Sequence, residues 1–216
     1  MPMSASPRAS AAYPVTHIDH QAFYDKQLTS VVLGRYIWTI GSRAFANNQL
    51  AYLALPDHVF QGFPGIDIGS GAFASNKLEN VAFGQYIVIG SGAFQYNQLS
   101  KVRIPCDTTA IPGNAFANNH LVCLYIHDRV EYIGVSAFAN NNLDRIIIPD
   151  SVARISPRAF WGNDITEITI GPDVYLPAWL GALEAFPNGF DDFYRENGSR
   201  AGTYTFDGER WHAEFR

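Results

Sequence analysis

The chain has 216 residues, 47% of them hydrophobic and 16% charged, with a formal net charge of −5. That length supports a continuous core but not many domains. The negative balance gives no general pull toward nucleic acid, and no apolar run approaches the roughly 18 residues a membrane helix needs.

Residues 1–17 open on MPMSASPRASAAYPVT, a small, polar, Pro-containing stretch expected to be a poorly ordered tail and N-terminal cap. Ala9-Ser10-Ala11 has the small residues of a leader cleavage site, yet no apolar core precedes it, so this stretch is not expected to act as an export signal. From Ile18 one pattern takes over. Its clearest copy is Ile133–Ile148, IGVSAFANNNLDRIII. With Ile133 as position zero, Ala137 and Phe138 fall at +4 and +5, Asn141 at +8, Leu143 at +10, Ile146 at +13 and Ile148 at +15. The same frame starts at Ile18, Ile40, Ile68, Ile89, Ile111 and Ile155, with spacings of 22, 28, 21, 22, 22 and 22. Ala-Phe recurs in all seven copies, and +10, +13 and +15 are apolar in each. A fixed period near this length, with every apolar site repeating, predicts a stacked solenoid whose rungs bury their apolar faces on one another.

Within a rung, +10 to +15 reads L-x-x-V-x-I, a strand alternation that predicts seven parallel strands forming one sheet about 30 Å across. Pro or Gly at +16 ends most of these strands, and a second inward site at +19 is Val or Ile except at Thr108. The stretch from zero to +8 is expected to be a tight turn or a short 3₁₀ piece, with Phe filling the core and Ala letting the coils approach. Asn at +8 in six rungs (Asn48, Asn76, Asn97, Asn119, Asn141, Asn163) is expected to satisfy buried backbone groups as a structural ladder. The second rung carries six extra residues within PDHVFQGFPGID, a loop with Phe60 and Phe63. After Ile170 the pattern stops. Trp179, Leu180, Leu183 and Phe186 are expected to cover the last rung, followed by a short helix carrying Phe190, Phe193 and Tyr194 and closed by Asn197-Gly198. A hairpin turning at Asp207-Gly208 completes this cap over residues 177–216.

These residues resemble the BspA-like, treponemal-type class of leucine-rich repeats, with a consensus near IGxxAFxxNxLxxVxIPxxVxx matched over 18–176. The resemblance implies an α/β-type, right-handed leucine-rich-repeat superhelix. It also implies a bacterial surface, secreted or periplasmic setting, adhesion or protein–protein contact, and no shared catalytic site or cofactor.

The residues themselves offer little chemistry. Cys106, His120, Cys123 and His127 cluster in sequence, but the two histidines are separated by about 20 Å of extended strand, too far to share an ion. Cys106 and Cys123 sit five frame positions apart, roughly 16 Å, so two free thiols are expected. No nucleophile elbow is present, and IGSGAF is a repeat variant, not a dinucleotide loop. The chain is therefore expected not to be an enzyme. Two surfaces remain. On the strand face, outward +12 and +14 sites bring Lys101, Arg103, Tyr125, Arg145 and Ile147 side by side, a docking patch for an acidic protein partner unless it is an ordinary solvated face. Near rung two, Tyr36, Trp38 and Tyr86 with Phe60 and Phe63 would make a pocket for a hydrophobic ligand, unless the loop simply covers Trp38. A self-associating scaffold is the third reading.

Overall fold

The computed structural model describes residues 14–56, 65–177 and 184–216. Phe60 and Phe63 of the insertion, and Trp179, Leu180 and Leu183 of the cap, lie outside them. In chain order the strands are β1 (His17–Ile18), β2 (Thr39–Ile40), β3 (Tyr52–Ala54), β4 (Ile66–Ile68), β5 (Asn80–Ala82), β6 (Ile87–Ile89) and β7 (Lys101–Arg103). They continue as β8 (Ala110–Ile111), β9 (Cys123–Tyr125), β10 (Tyr132–Ile133), β11 (Arg145–Ile147), β12 (Arg154–Ile155) and β13 (Glu167–Ile170). A helix, α1 (Phe190–Glu196), and an antiparallel hairpin, β14 (Gly202–Phe206) with β15 (Trp211–Phe215), follow. Rungs pair in parallel, like position on like position: Ile18 on Ile40, Ile40 on Ile68, Ile111 on Ile133 and Ile133 on Ile155. The result is a β-solenoid of about seven turns.

Two ladders run along the stack, and both are interrupted. The position-zero ladder runs β1-β2-β4-β6, stops, and resumes as β8-β10-β12. The amides of Gly41, Gly69, Gly134 and Ser156 at +1 donate to the position-zero carbonyls of the preceding rung, Ile18, Ile40, Ile111 and Ile133. At the break, rung five has Pro112 in that place, with no N–H to donate. The second ladder departs from the expected seven-stranded sheet: it divides into β3-β5, β7-β9 and β11-β13-β14-β15. In rung one, Ser30–Val32 forms no strand. The first division falls beside Phe83, the one aromatic at +15, whose ring stands edge-on to Phe94 and Phe116 at 5.4 and 6.3 Å.

Between the ladders the chain turns without forming a helix. Positions +3 and +7 take a left-handed backbone in every rung, from Gln21 and Asp25 (φ 56° and 54°) to Arg158 and Gly162 (59° and 72°). A non-glycine residue held there costs about 1 kcal/mol. The cost is offset because these kinks aim alternate amides at the next rung. Phe45 donates to the Ala72 carbonyl at 2.8 Å, Phe73 to Ala93 at 2.9 Å and Phe116 to Ala137 at 2.9 Å. The +4 alanines are fully buried beside the phenylalanines, but close approach depends on the +1 glycines instead. A Cβ on Gly41 would lie 2.5 Å from the His20 nitrogen, and one on Gly69 2.5 Å from the Ser42 nitrogen.

The Phe side chains form one column. Neighbouring rings from Phe23 to Phe160 lie 5.1–5.7 Å apart and within 15° of parallel. Beside them runs the Asn ladder. Asn119 donates to the Phe94, Phe116 and Ala117 carbonyls at 3.0, 3.1 and 3.3 Å, and its Oδ1 accepts from the Leu99 amide at 3.0 Å. One buried side chain thus satisfies backbone groups on two rungs.

The column does not end at rung seven. Phe186 stacks on Phe160 at 4.9 Å, and the Phe160 amide donates to Ala185, so Ala185-Phe186 is an eighth Ala-Phe turn. Here the amide donors meet no further rung. The Asp191 carboxylate takes them, Oδ2 from Ala185 at 2.7 Å and Oδ1 from Phe186 at 3.1 Å. Phe190 then packs on Phe186, Tyr204 and Trp211, and β14 covers the edge of β13. The hairpin loop is the four residues Asp207–Arg210, not the two expected, since Phe206 pairs with Trp211. Asp207 Oδ1 accepts from the Glu209 and Arg210 amides, each at 2.9 Å, and this side-chain-mediated turn widens the loop.

Three stability predictions follow from this geometry. Asn119→Ala removes four hydrogen bonds and should lower unfolding free energy by about 3 kcal/mol in urea titrations. Thr108 is the exception in the +19 row, and its buried Oγ1 has no hydrogen-bond partner. Thr108→Val should raise stability by about 1 kcal/mol in the same assay. Asp191 is 1% exposed. Burial raises its pKa from 3.8 to about 6, outweighing the two amide bonds that lower it. A raised folded-state value means its stabilising contribution is full below the unfolded value and lost as pH rises through about 6. The stability difference between wild type and Asp191→Asn should therefore shift against the wild type, by on the order of 3 kcal/mol, between about pH 4 and pH 7.

Candidate partner-binding face

Strand alternation sends the middle residue of each +12 to +14 strand inward and its flanks outward. In β7, Val102 is buried while Lys101 and Arg103 are exposed; in β11, Ile146 is buried while Arg145 and Ile147 are exposed. The parallel register sets Arg103 beside Tyr125 and Lys101 beside Cys123. The Arg103 guanidinium lies over the Tyr125 ring, 4.7 Å from its centre, and the ring remains 51% exposed. Such stacking is worth about 0.5–1 kcal/mol at an exposed site and holds the guanidinium plane against the ring. Among the described residues, neither Lys101 nor Arg103 enters an ion pair.

The five expected residues do not form one continuous patch. No backbone pairing joins β9 to β11, so Lys101, Arg103 and Tyr125 share one sheet while Arg145 and Ile147 belong to the next. Arg145 is not a free cation either: its Nε lies 3.7 Å from Asp144 Oδ1, at the exposed end of the same strand. Beside Arg103, the division between β5 and β7 opens a groove of about 480 Å³ lined by Val81, Phe83, Gln85, Arg103, Ile104 and Cys106. The sequence carried a signal for this groove in Phe83, oversized for its position.

The aromatic pocket does not assemble from its described members. Tyr36 lines a hollow at the N-terminal end, with its ring under the Arg35 guanidinium at 4.9 Å. Trp38 lines a separate hollow of about 420 Å³ with Thr39, Gly65, Asp67 and Val88, and its indole N–H donates to His17 Nε2 at 2.7 Å. Tyr86 lines neither of these hollows and sits on a left-handed backbone (φ 56°) packed against Gly65. Each ring is engaged by a different neighbour, which keeps the three apart.

Backbone partners also occupy His127, whose Nε2 meets the Pro105 carbonyl at 2.7 Å while Nδ1 accepts from the Arg129 amide at 3.2 Å. Cys106 and Cys123 are free and exposed. Among the described residues no group of three His, Cys, Asp or Glu comes together to hold a metal ion, and no helix is long and apolar enough to cross a membrane.

With the geometry described, the comparisons bear on it directly. Residues 10–64 and 66–176 match the model of the BspA type Leucine rich repeat region, in 6 copies. The fold is similar to the crystal structure of a leucine-rich repeat protein from Bacteroides ovatus, with a TM-score of 0.65 and 24% identity. That match covers 74% of this chain and 42% of the other, so the chain spans less than half of its neighbour's length. Among curated proteins, none matches. Repeat frame, Phe column, Asn ladder and family model agree, and the chain belongs to the BspA-type leucine-rich repeat family.

Proposed function

We propose that the chain is a non-enzymatic recognition scaffold that holds an acidic protein partner on its strand face. Arg103, Tyr125 and Lys101 make the primary contact, and Arg145 and Ile147 extend it. The observation that carries this reading is the Arg103–Tyr125 stack, with the two cations of β7 outside any ion pair among the described residues. Arg and Tyr are the residue types that most often anchor interfaces, and a guanidinium already held flat on a ring loses little freedom on binding a carboxylate. The groove beside Phe83 supports the same face, because it offers an apolar recess next to the cation. Family membership supports protein–protein contact as the mode of action. Attachment to a host surface or matrix protein is the finer form that the resemblance favours.

Recognition led by charge weakens with salt. Binding of a labelled acidic peptide rich in Glu should fall at least about tenfold in a Lys101→Ala, Arg103→Ala, Arg145→Ala variant, a loss of about 1.4 kcal/mol, and should weaken steeply as salt rises. Binding equal to wild type in that variant, in an otherwise folded protein, would overturn the assignment.

A further inference from the structure

The two ends of the stack are chemically unlike. Along the column, the +3, +5 and +7 amides of each rung donate toward the rung that follows: Gln21 to Ser42, Phe23 to Ala44 and Asp25 to Ala46. The first rung therefore presents the opposite half of the pattern at the N-terminal end. Its His20, Ala22 and Tyr24 carbonyls stand where Ser42, Ala44 and Ala46 stand one rung later, and they accept no hydrogen bond from the described residues. Beside this acceptor row, Phe23 stacks on Phe45 with one face only and is 42% exposed. The rest of the end is apolar. Val15, Leu28, Val31, Val32 and Leu33 join Phe23 around a hollow of about 790 Å³, and Val32 is 95% exposed.

Donor and acceptor polarity selects what fits there. The C-terminal end of a second copy offers no matching donors, because Asp191 holds the Ala185 and Phe186 amides and α1 packs over Phe186. Two N-terminal ends brought face to face would set acceptor against acceptor. A purely apolar molecule would fill the hollow but leave the carbonyl row without partners.

We propose that the N-terminal end of the solenoid is a docking surface for a segment of another protein. That segment offers backbone N–H groups at alternate residues to the His20, Ala22 and Tyr24 carbonyls and lays an aromatic or aliphatic side chain on Phe23. This is β-augmentation applied to the end of a stack instead of the edge of a sheet, with main-chain bonds supplying affinity and the Phe23 contact supplying selectivity. It uses none of the strand-face residues and stands or falls apart from them.

A synthetic peptide of residues 133–154 is the probe. Within the stack its Ser136, Phe138 and Asn140 amides are the donors, meeting Pro157, Ala159 and Trp161. Fluorescence anisotropy with the full chain should show saturable binding of the labelled peptide. N-methylation of those three amides should weaken it at least about tenfold, and so should Phe23→Asp or Val32→Asp; Val32 is so exposed that its replacement leaves the fold intact. The strand-face variant should bind the peptide like wild type. Absence of binding, or binding indifferent to N-methylation, would overturn the proposal. So would sedimentation showing that the unliganded chain dimerises in a way Val32→Asp abolishes, because a second copy would then be the occupant.

Discussion

The rest of the structure depends on the hydrogen bond from a +5 phenylalanine amide to the alanine carbonyl one rung on. Forming it requires a backbone that reverses hand twice within five residues, and the left-handed +3 and +7 positions supply that reversal even where the residue is Arg43, Tyr96 or Arg158. Ordinarily such residues are avoided. In a stack the conformation persists because each rung is held by the one before and the one after. Stacked Phe rings and the Asn side chains follow from the same alignment, since rungs displaced along the chain would bring unlike positions together.

This division of labour frees the outward positions. Phe, Asn, the +1 glycines and the inward aliphatics face the column or the adjoining rung. The +12 and +14 side chains meet solvent, so their identities drift from rung to rung while the inward sites stay apolar. Lys101, Arg103 and Tyr125 occupy such released positions. The fold asks nothing of them except exposure, and a cation stacked on an open ring is then better understood through recognition than through stability. Thr108 is the converse case, a polar residue in a position the fold does constrain.

Much of the architecture was legible because solenoid contacts join equivalent positions, so that period and composition predict neighbours. Ile18 meets Ile40, and Phe94 meets Phe116, as the frame requires. What escaped depends on single residues that break the equivalence. Pro112 interrupts one ladder through a missing N–H, and Phe83 stands where the other ladder divides. The eighth Ala-Phe turn was hidden because Ala185 follows Ala159 by 26 residues, outside the usual spacing. Alternation placed Arg145 on the right face but could not show Asp144 turning back onto it. The aromatic pocket failed for a related reason: spacing tells which side a ring leaves from, while Arg35 and His17 decide where it rests.

The direction of the amide-to-carbonyl bonds has one more consequence. Every interior rung receives from its predecessor the same set of bonds it passes to its successor, so nothing in the middle records how many rungs there are. Whole units can be duplicated or deleted between Ile40 and Ile155 without disturbing either terminus, whereas an insertion of any other length must be extruded sideways, as the six extra residues of the second rung are. Overall size in this architecture is thus an evolvable dimension, adjustable in steps of one repeat while the terminal chemistry stays constant.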